Sequence, residues 1–366
     1  MDKETLSHYG WIVVLILILS VLLVFATPFG KFVTGAIKAY SDGLFGVNKN
    51  AMDAAGIDIM EQEFDDMLND DWKTEDTNIF DIPAYALILD NGAGADTVPL
   101  VFTRSETEIK VGDKYQSITY GERTVVAVFT GFEDTEYTYS NGGATTAPWK
   151  NYASSITSVQ VEEVIKPISM TGWFAWFNKA TVLNLEKINT SECTSLRCTF
   201  YKCGYDPIVS AFRITGLSSW DTSKVTNMVG TFGASGHSAY LYTIEGLDNW
   251  DVSSVTDFEA FFASAGYNST NWEMDLTGWN LKSAVSTSQM FAHAGRFCKS
   301  KIVVKGLDTW DVSNVKNMNR MFYMFGEKVP NRFTIDVSTW TPNAVTDKGS
   351  IIAGAGGTFV LPSKLQ

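Results

Sequence analysis

The sequence predicts an α+β protein in three parts: an N-terminal transmembrane helix, a small β module, and a solenoid with one short strand and one short helix in each repeat of about 30 residues. Three observations predict this. Residues 10–30 are an uncharged apolar run, the texture changes to short β-rich runs near Thr97, and a tryptophan-centred motif recurs through the second half. A chain of 366 residues has room for two or three domains, and 45% hydrophobic residues suffice for a large core. The expected boundaries are a leader at 1–9, a membrane helix at 10–30, a helical, acidic linker at 31–95, the β module at 96–147, and repeats with a C-terminal cap at 148–366.

The apolar run is 21 residues long. As a helix it would span about 31 Å, close to the hydrocarbon thickness of a bilayer. Tyr9 and Trp11 stand where interfacial aromatics are expected. A cleaved signal peptide ending at Ala26 is the alternative, although Asp2 and Glu4 around Lys3 make a poor basic leader. Lys31, Lys38 and Lys49 follow the run, and by the positive-inside rule they place the C-terminal side in the cytoplasm. A large Trp-rich repeat region is easier to understand outside the cell. The expectation is therefore a single-pass protein of the cell membrane with extracellular repeats, with a secreted protein as the alternative.

In the linker, Ile57, Met60, Phe64, Met67 and Leu68 fall at helical spacing. Between Asp53 and Asp81 there are eleven acids and one base, Lys73. This stretch supplies most of the formal net charge of −13, which argues against nucleic acid as a partner. The acids around Asp65 and Asp70 lack the central glycine of a calcium loop and read as a solvated helix face. Val98–Phe102 and Thr124–Phe129 then read as strands of the β module, with turns at Gly112 and Gly121.

The repeats are clearest in three copies. Leu217-x-x-Trp220-Asp221-Thr222-Ser223-x-Val225-x-x-Met228-x-x-x-Phe232 aligns with Leu247-x-x-Trp250-Asp251-Val252-Ser253-x-Val255-x-x-Phe258-x-x-x-Phe262. Both align with Leu307-x-x-Trp310-Asp311-Val312-Ser313-x-Val315-x-x-Met318-x-x-x-Phe322. Degenerate copies centre on Trp279, Trp340 and Ile188, so the key position recurs every 29 to 32 residues. Residues before each tryptophan alternate in polarity, which indicates a strand. Val225, Met228 and Phe232 fall at i, i+3 and i+7, which reads as one face of a short helix. One such unit cannot bury its apolar face alone, whereas stacked copies can.

This pattern resembles the BspA-like leucine-rich-repeat surface proteins of bacteria, over about residues 148–345. The resemblance makes the expected solenoid leucine-rich-repeat-like. It implies a surface or secreted protein that binds other proteins or cells, and it implies no catalytic residues. The start, Glu4 to Gly10 followed by the apolar run and residues 30–38, resembles Flp-type pilins more loosely.

No cofactor, metal site or enzymatic activity is expected. Cys193, Cys198 and Cys203 lack zinc spacing, and Cys193 takes the valine slot of Val225, Val255 and Val315. A disulfide among the four cysteines, Cys298 included, stays open. Asp221, Asp251 and Asp311 read as caps of their own turns rather than a calcium row, because Asn189, Asn280 and Thr341 hold the same place elsewhere. His8, His237 and His293 have no triad context. The tryptophans read as core, so exposed aromatics for binding are sought in the inserts at 237–242 and 265–272. The expected function is protein binding or adhesion by the displayed repeats. The alternative is self-assembly into a surface filament through the N-terminal helix.

Overall fold

What decides this fold is where the backbone amides after each tryptophan go. In the coil of Trp220, the amides of Met228, Gly230, Phe232 and Ala234 donate to carbonyls of the next coil, at Asp257, Glu259, Phe261 and Ala263. The alternate amides of Thr231, Gly233 and Ser235 donate three residues back, to Met228, Gly230 and Phe232. An α-helix would spend all of these amides within its own segment. Here half of them tie one coil to its neighbour, and the same alternation recurs from Leu196 to Met324.

The geometry requires a left-handed residue at every fourth position. The pairs are Cys198 and Lys202, Gly230 and Ala234, Ala260 and Ser264, Gln289 and His293, Arg320 and Met324. Each non-glycine residue held there costs about 1–2 kcal/mol, which the inter-coil hydrogen bonds and aromatic stacking offset. The large core side chains of the segment, Met228 and Phe232, fall four residues apart and are fully buried. With Val225 three residues before Met228, the spacings of three and four average close to 3.6, which is why Val225, Met228 and Phe232 look helical in sequence.

The computed structural model describes residues 79–92, 97–139, 145–329 and 333–366. Among them there is no α-helix. The α+β expectation, with a transmembrane helix and a leucine-rich-repeat-like solenoid of strands and helices, is thereby corrected to a β architecture of stacked coils. Among the described residues no helix is long and apolar enough to cross a membrane. The expected single-pass placement in the cell membrane with extracellular repeats is accordingly not supported. The apolar run at 10–30, the leader and the linker helix around Phe64 lie outside the described residues.

Twelve strands are described: β1 (Ala84–Leu89), β2 (Val98–Arg104), β3 (Lys114–Ser117), β4 (Gly121–Phe129), β5 (Ile156–Val161), β6 (Val182–Asn184), β7 (Ala211–Thr215), β8 (Leu241–Ile244), β9 (Asn271–Asp275), β10 (Lys301–Lys305), β11 (Thr334–Asp336) and β12 (Thr358–Val360). An eight-stranded sheet runs β3-β4-β1-β2-β5-β6-β7-β8. Its first four strands are antiparallel, and β2 then pairs in parallel with β5, the first strand of the coils. The β module and the repeats thus share one sheet. β1 falls inside the span expected to be a helical linker. All six of its residues are buried, with Ala84, Ala86 and Ile88 on one core and Tyr85, Leu87 and Leu89 on another.

Two buried ionic groups fasten the module to the stack. Arg104 donates to the carbonyls of Ile82 and Val164, each at 2.7 Å, and pairs with Glu133. Glu162 accepts from Tyr115 Oη at 2.8 Å, from Ser117 Oγ and from the Ile118 amide.

Beyond β8 the strand ladder continues as separate parallel pairs, β9 with β10 and β11 with β12. A second ladder runs unbroken through Ser195, Asn227, Asp257, Ser286, Asn317 and Asp347. Between the ladders lies the aromatic core. The indoles of Trp220, Trp250, Trp279, Trp310 and Trp340 stack in parallel, with centroids 5.8 to 6.4 Å apart. Beside them Phe200, Phe232, Phe262, Phe291 and Phe322 form a second column at 5.0 to 5.7 Å. The indole N–H of Trp250, Trp279 and Trp340 donates to a leucine carbonyl of the preceding coil, at 3.0, 2.7 and 2.6 Å. That of Trp310 has no partner among the described residues.

Candidate interaction surface

The repeat positions singled out in sequence are structural. Trp220, Trp250, Trp279, Trp310 and Trp340 are at most 3% exposed, and Val225, Val255, Val315, Phe232, Phe262 and Phe322 are fully buried. Asp221, Asp251 and Asp311 are exposed, and Oδ1 of each accepts the amide of the serine two residues on, at 2.9 to 3.0 Å. Ser223 and Ser313 hold the Asp221 and Asp311 carboxyls below the usual carboxylate range. Among the described residues no group of three or more His, Cys, Asp or Glu is placed to hold a metal. All four cysteines are free thiols in the interior. Burial pushes Cys193 and Cys198 up to about 11, so neither is a ready nucleophile.

The outer side of the turn segments carries a different group of residues. Each segment ends on a left-handed glycine: Gly204, Gly236, Gly266, Gly295 and Gly326. A side chain on Gly204, Gly236, Gly266 or Gly326 would overlap an aromatic or aliphatic residue of a strand, as Gly236 would with Tyr242, and one on Gly295 would crowd Trp272. The residue that follows leaves the turn and faces outward. In three successive coils it is Tyr205, His237 and Tyr267, each half-buried. Their rings form a column, with centroids 4.5 Å apart from Tyr205 to His237 and 4.4 Å from His237 to Tyr267. Phe297 extends it at 5.1 Å.

Cations line this column. Lys202 Nζ lies over the rings of Trp176, Tyr201 and Tyr205 at 3.9, 5.6 and 5.4 Å. Arg296 lies over Tyr267 and Phe297 at 5.9 and 5.3 Å and pairs with Glu327 at 2.5 Å. Lys328 and Arg296 together hold the Glu327 carboxyl below its ordinary range. Farther along, Tyr323 meets His293 edge-on and sits beneath Arg320. The result is an aromatic and cationic ridge across at least five coils of an otherwise acidic chain.

The inserts expected to carry exposed aromatics divide. His237, Tyr240 and Tyr267 reach the surface, whereas Tyr242 and Trp272 are buried in the core. Trp176, Tyr201, Lys202, Tyr205 and Arg296 were missed. The signal that could have found Tyr205 and Arg296 is their place directly after Gly204 and Gly295, the glycines that close their turn segments, whereas Trp176, Tyr201 and Lys202 lie inside the turn segments and carry no such mark.

The opposite, strand-bearing face is polar and self-paired. Glu273 pairs with Lys301 at 2.9 Å and Asp275 with Lys305 at 2.8 Å. Asn184 joins Gln160 and Thr215 at 2.9 Å each. Exposed pairs of this kind contribute little to stability. A cleft of about 310 Å³ between β10 and β11 is lined by Val304, Leu307, Ile335 and the carboxylates of Asp308 and Asp336.

His237 gives the ridge a pH response. Both its faces are covered by tyrosine rings, and its Nδ1 is buried without a partner among the described residues. Burial, and then the Lys202 charge, holds its imidazole below the ordinary value of 6.5. Burial and Arg296 do the same to His293. The unfolded chain therefore takes up these protons first as the pH falls. The stability they contribute is complete above about pH 6.5 and is lost as the pH drops through their lower folded values. The urea midpoint is expected to fall between about pH 7.5 and pH 5. His237→Phe, which keeps the ring column, should flatten that fall, and an unchanged slope would show that His237 does not contribute.

The architecture defines a repeat protein of stacked β coils with a self-paired polar face and an aromatic, cationic ridge. The chain belongs to the family described as "Mycoplasma protein of unknown function, DUF285", whose matches over residues 168–302 and 298–357 together cover just over half of the chain. The match begins at the first turn segment and leaves β1 to β5 outside it. No curated protein and no solved structure matches the chain.

Proposed function

We propose that this protein is a protein-binding module that engages its partner along the aromatic and cationic ridge. One observation carries the reading: Tyr205, His237, Tyr267, Phe297, Lys202 and Arg296 lie half-exposed on consecutive coils. Tyrosine, tryptophan and arginine dominate the energetics of protein interfaces, because they bring large contact area with few rotamers and a polar tip. The rings are held by one another and by the coil hydrogen bonds, so little side-chain freedom is lost on binding. The clustered cations favour a partner surface that presents carboxylates.

The test compares full-length wild type with a triple variant, Tyr205→Ser, Tyr267→Ser and Arg296→Ser. Partners are identified by in-cell cross-linking, and affinities are then measured with each purified partner. Loss of at least about tenfold in affinity is expected. A control variant of the strand face, Glu273→Ser with Lys301→Ser, should retain binding. A correctly folded triple variant that keeps every partner at wild-type affinity would reject the reading.

A further inference from the structure

The end of the ridge nearest the β module is built as a cage. Trp176, Tyr201 and Tyr205 surround one cation, the ammonium of Lys202, at 3.9, 5.6 and 5.4 Å from the ring centroids. The walls are positioned by groups other than Lys202. The Trp176 indole N–H donates to Tyr139 Oη at 3.1 Å. Tyr201 packs edge-on against both Tyr139 and Trp176, at 5.6 and 6.0 Å. Tyr205 packs against His237 at 4.5 Å with the rings tilted by 33°. The cage would therefore persist if the lysine left it.

Lys202 is a poor permanent occupant. Among the described residues it forms no ion pair. A primary ammonium carries three N–H donors and is strongly hydrated in water, and an aromatic wall gives those donors no acceptor. A quaternary ammonium has no N–H to desolvate. Its methyl groups fill the space between rings while its charge still meets their negative faces, and aromatic cages recognise such groups for that reason.

We propose that Trp176, Tyr201 and Tyr205 form a binding site for a quaternary ammonium group of the choline type, with Lys202 as a tethered occupant that swings out when the ligand enters. The site does not rest on the ridge binding a protein, and the two readings fail separately. Free choline and the headgroup of a phosphatidylcholine bilayer present the same trimethylammonium, so the experiment separates these sources.

The full-length Lys202→Gly variant suits the test, because glycine relieves the left-handed backbone and empties the cage. Lys202→Ala serves as a second form. Choline is titrated by calorimetry and by line broadening of its methyl resonance. Saturable binding by Lys202→Gly is expected, at least about tenfold tighter than wild type, because the tether competes at high effective concentration. Adding Trp176→Leu to this background should abolish binding, with circular dichroism confirming the fold. Co-sedimentation with phosphatidylcholine vesicles then assigns the source: retention on vesicles indicates the lipid headgroup, and choline binding without retention indicates a free ligand. The proposal is overturned if both folded Lys202 variants fail to bind choline, if wild type binds as tightly as they do, or if binding survives Trp176→Leu.

Discussion

Replacing Trp250 by alanine is expected to destabilise the stack by about 3–5 kcal/mol, the range for deleting a buried aromatic. Trp250 is 2% exposed and lies between two parallel indoles, Trp220 at 5.8 Å and Trp279 at 6.4 Å. Phe232 flanks it at 6.0 Å. Its N–H also satisfies the Leu217 carbonyl at 3.0 Å, and removing it leaves that buried oxygen without this donor. In a repeat stack each coil is stabilised chiefly by its neighbours, so a break in the middle uncouples two halves. Among the described residues Trp340 stacks on one indole, that of Trp310. Trp340→Ala should therefore cost less than Trp250→Ala. Urea unfolding of both variants checks this. A loss at Trp250 no greater than at Trp340 would mean that the indole column does not couple the coils.

Much of this column is legible in the sequence, because a buried tryptophan in every repeat has to meet its counterparts once the copies stack. The turn after it is equally legible. Asp221, Asp251 and Asp311 each offer a side-chain oxygen to an amide two residues on, a local interaction that needs no tertiary information. The helix is where sequence reading fails. Inward residues at Val225, Met228 and Phe232 satisfy a helical period, and nothing local tells whether the amides between them bond within the segment or to the next coil. That choice belongs to the assembled stack, where Met228, Gly230, Phe232 and Ala234 all donate forward. β1 is missed for a related reason. Ala84–Leu89 is buried on both faces, so it shows no alternation, and it follows an acidic stretch that draws the reading toward a helix. The ridge depends on which side of a left-handed turn faces water. Tyr205, His237 and Tyr267 share a face only because each follows a glycine that ends its turn.

A second glycine column governs how closely the coils approach, and Gly216→Ala is expected to be among the most damaging single changes in the repeats. Gly216, Gly246 and Gly306 precede the leucine of the three clearest copies, with φ of 88°, 88° and 84°. An L-residue pays about 1–2 kcal/mol for that backbone alone. The larger effect is contact. A Cβ on Gly216 would overlap the Glu186 backbone nitrogen and stand 2.6 Å from Glu186 Cα and 2.7 Å from the Leu185 carbonyl carbon. These are backbone atoms of the neighbouring coil, so no side-chain rotation relieves the overlap. The coils must separate, which loosens Trp220 and the Leu217 packing beneath it. Backbone strain and overpacking together suggest a loss of about 3 kcal/mol or more. Gly278 separates the two terms. Its φ is +89°, yet among the described residues a Cβ there would meet only the Asp248 carbonyl oxygen, at 3.4 Å. Gly278→Ala should therefore show little beyond the backbone cost. Chemical denaturation of the two variants measures the difference. Equal losses would show that backbone conformation alone selects glycine at Gly216, and a much larger loss at Gly216 would show that the spacing of the coils selects it.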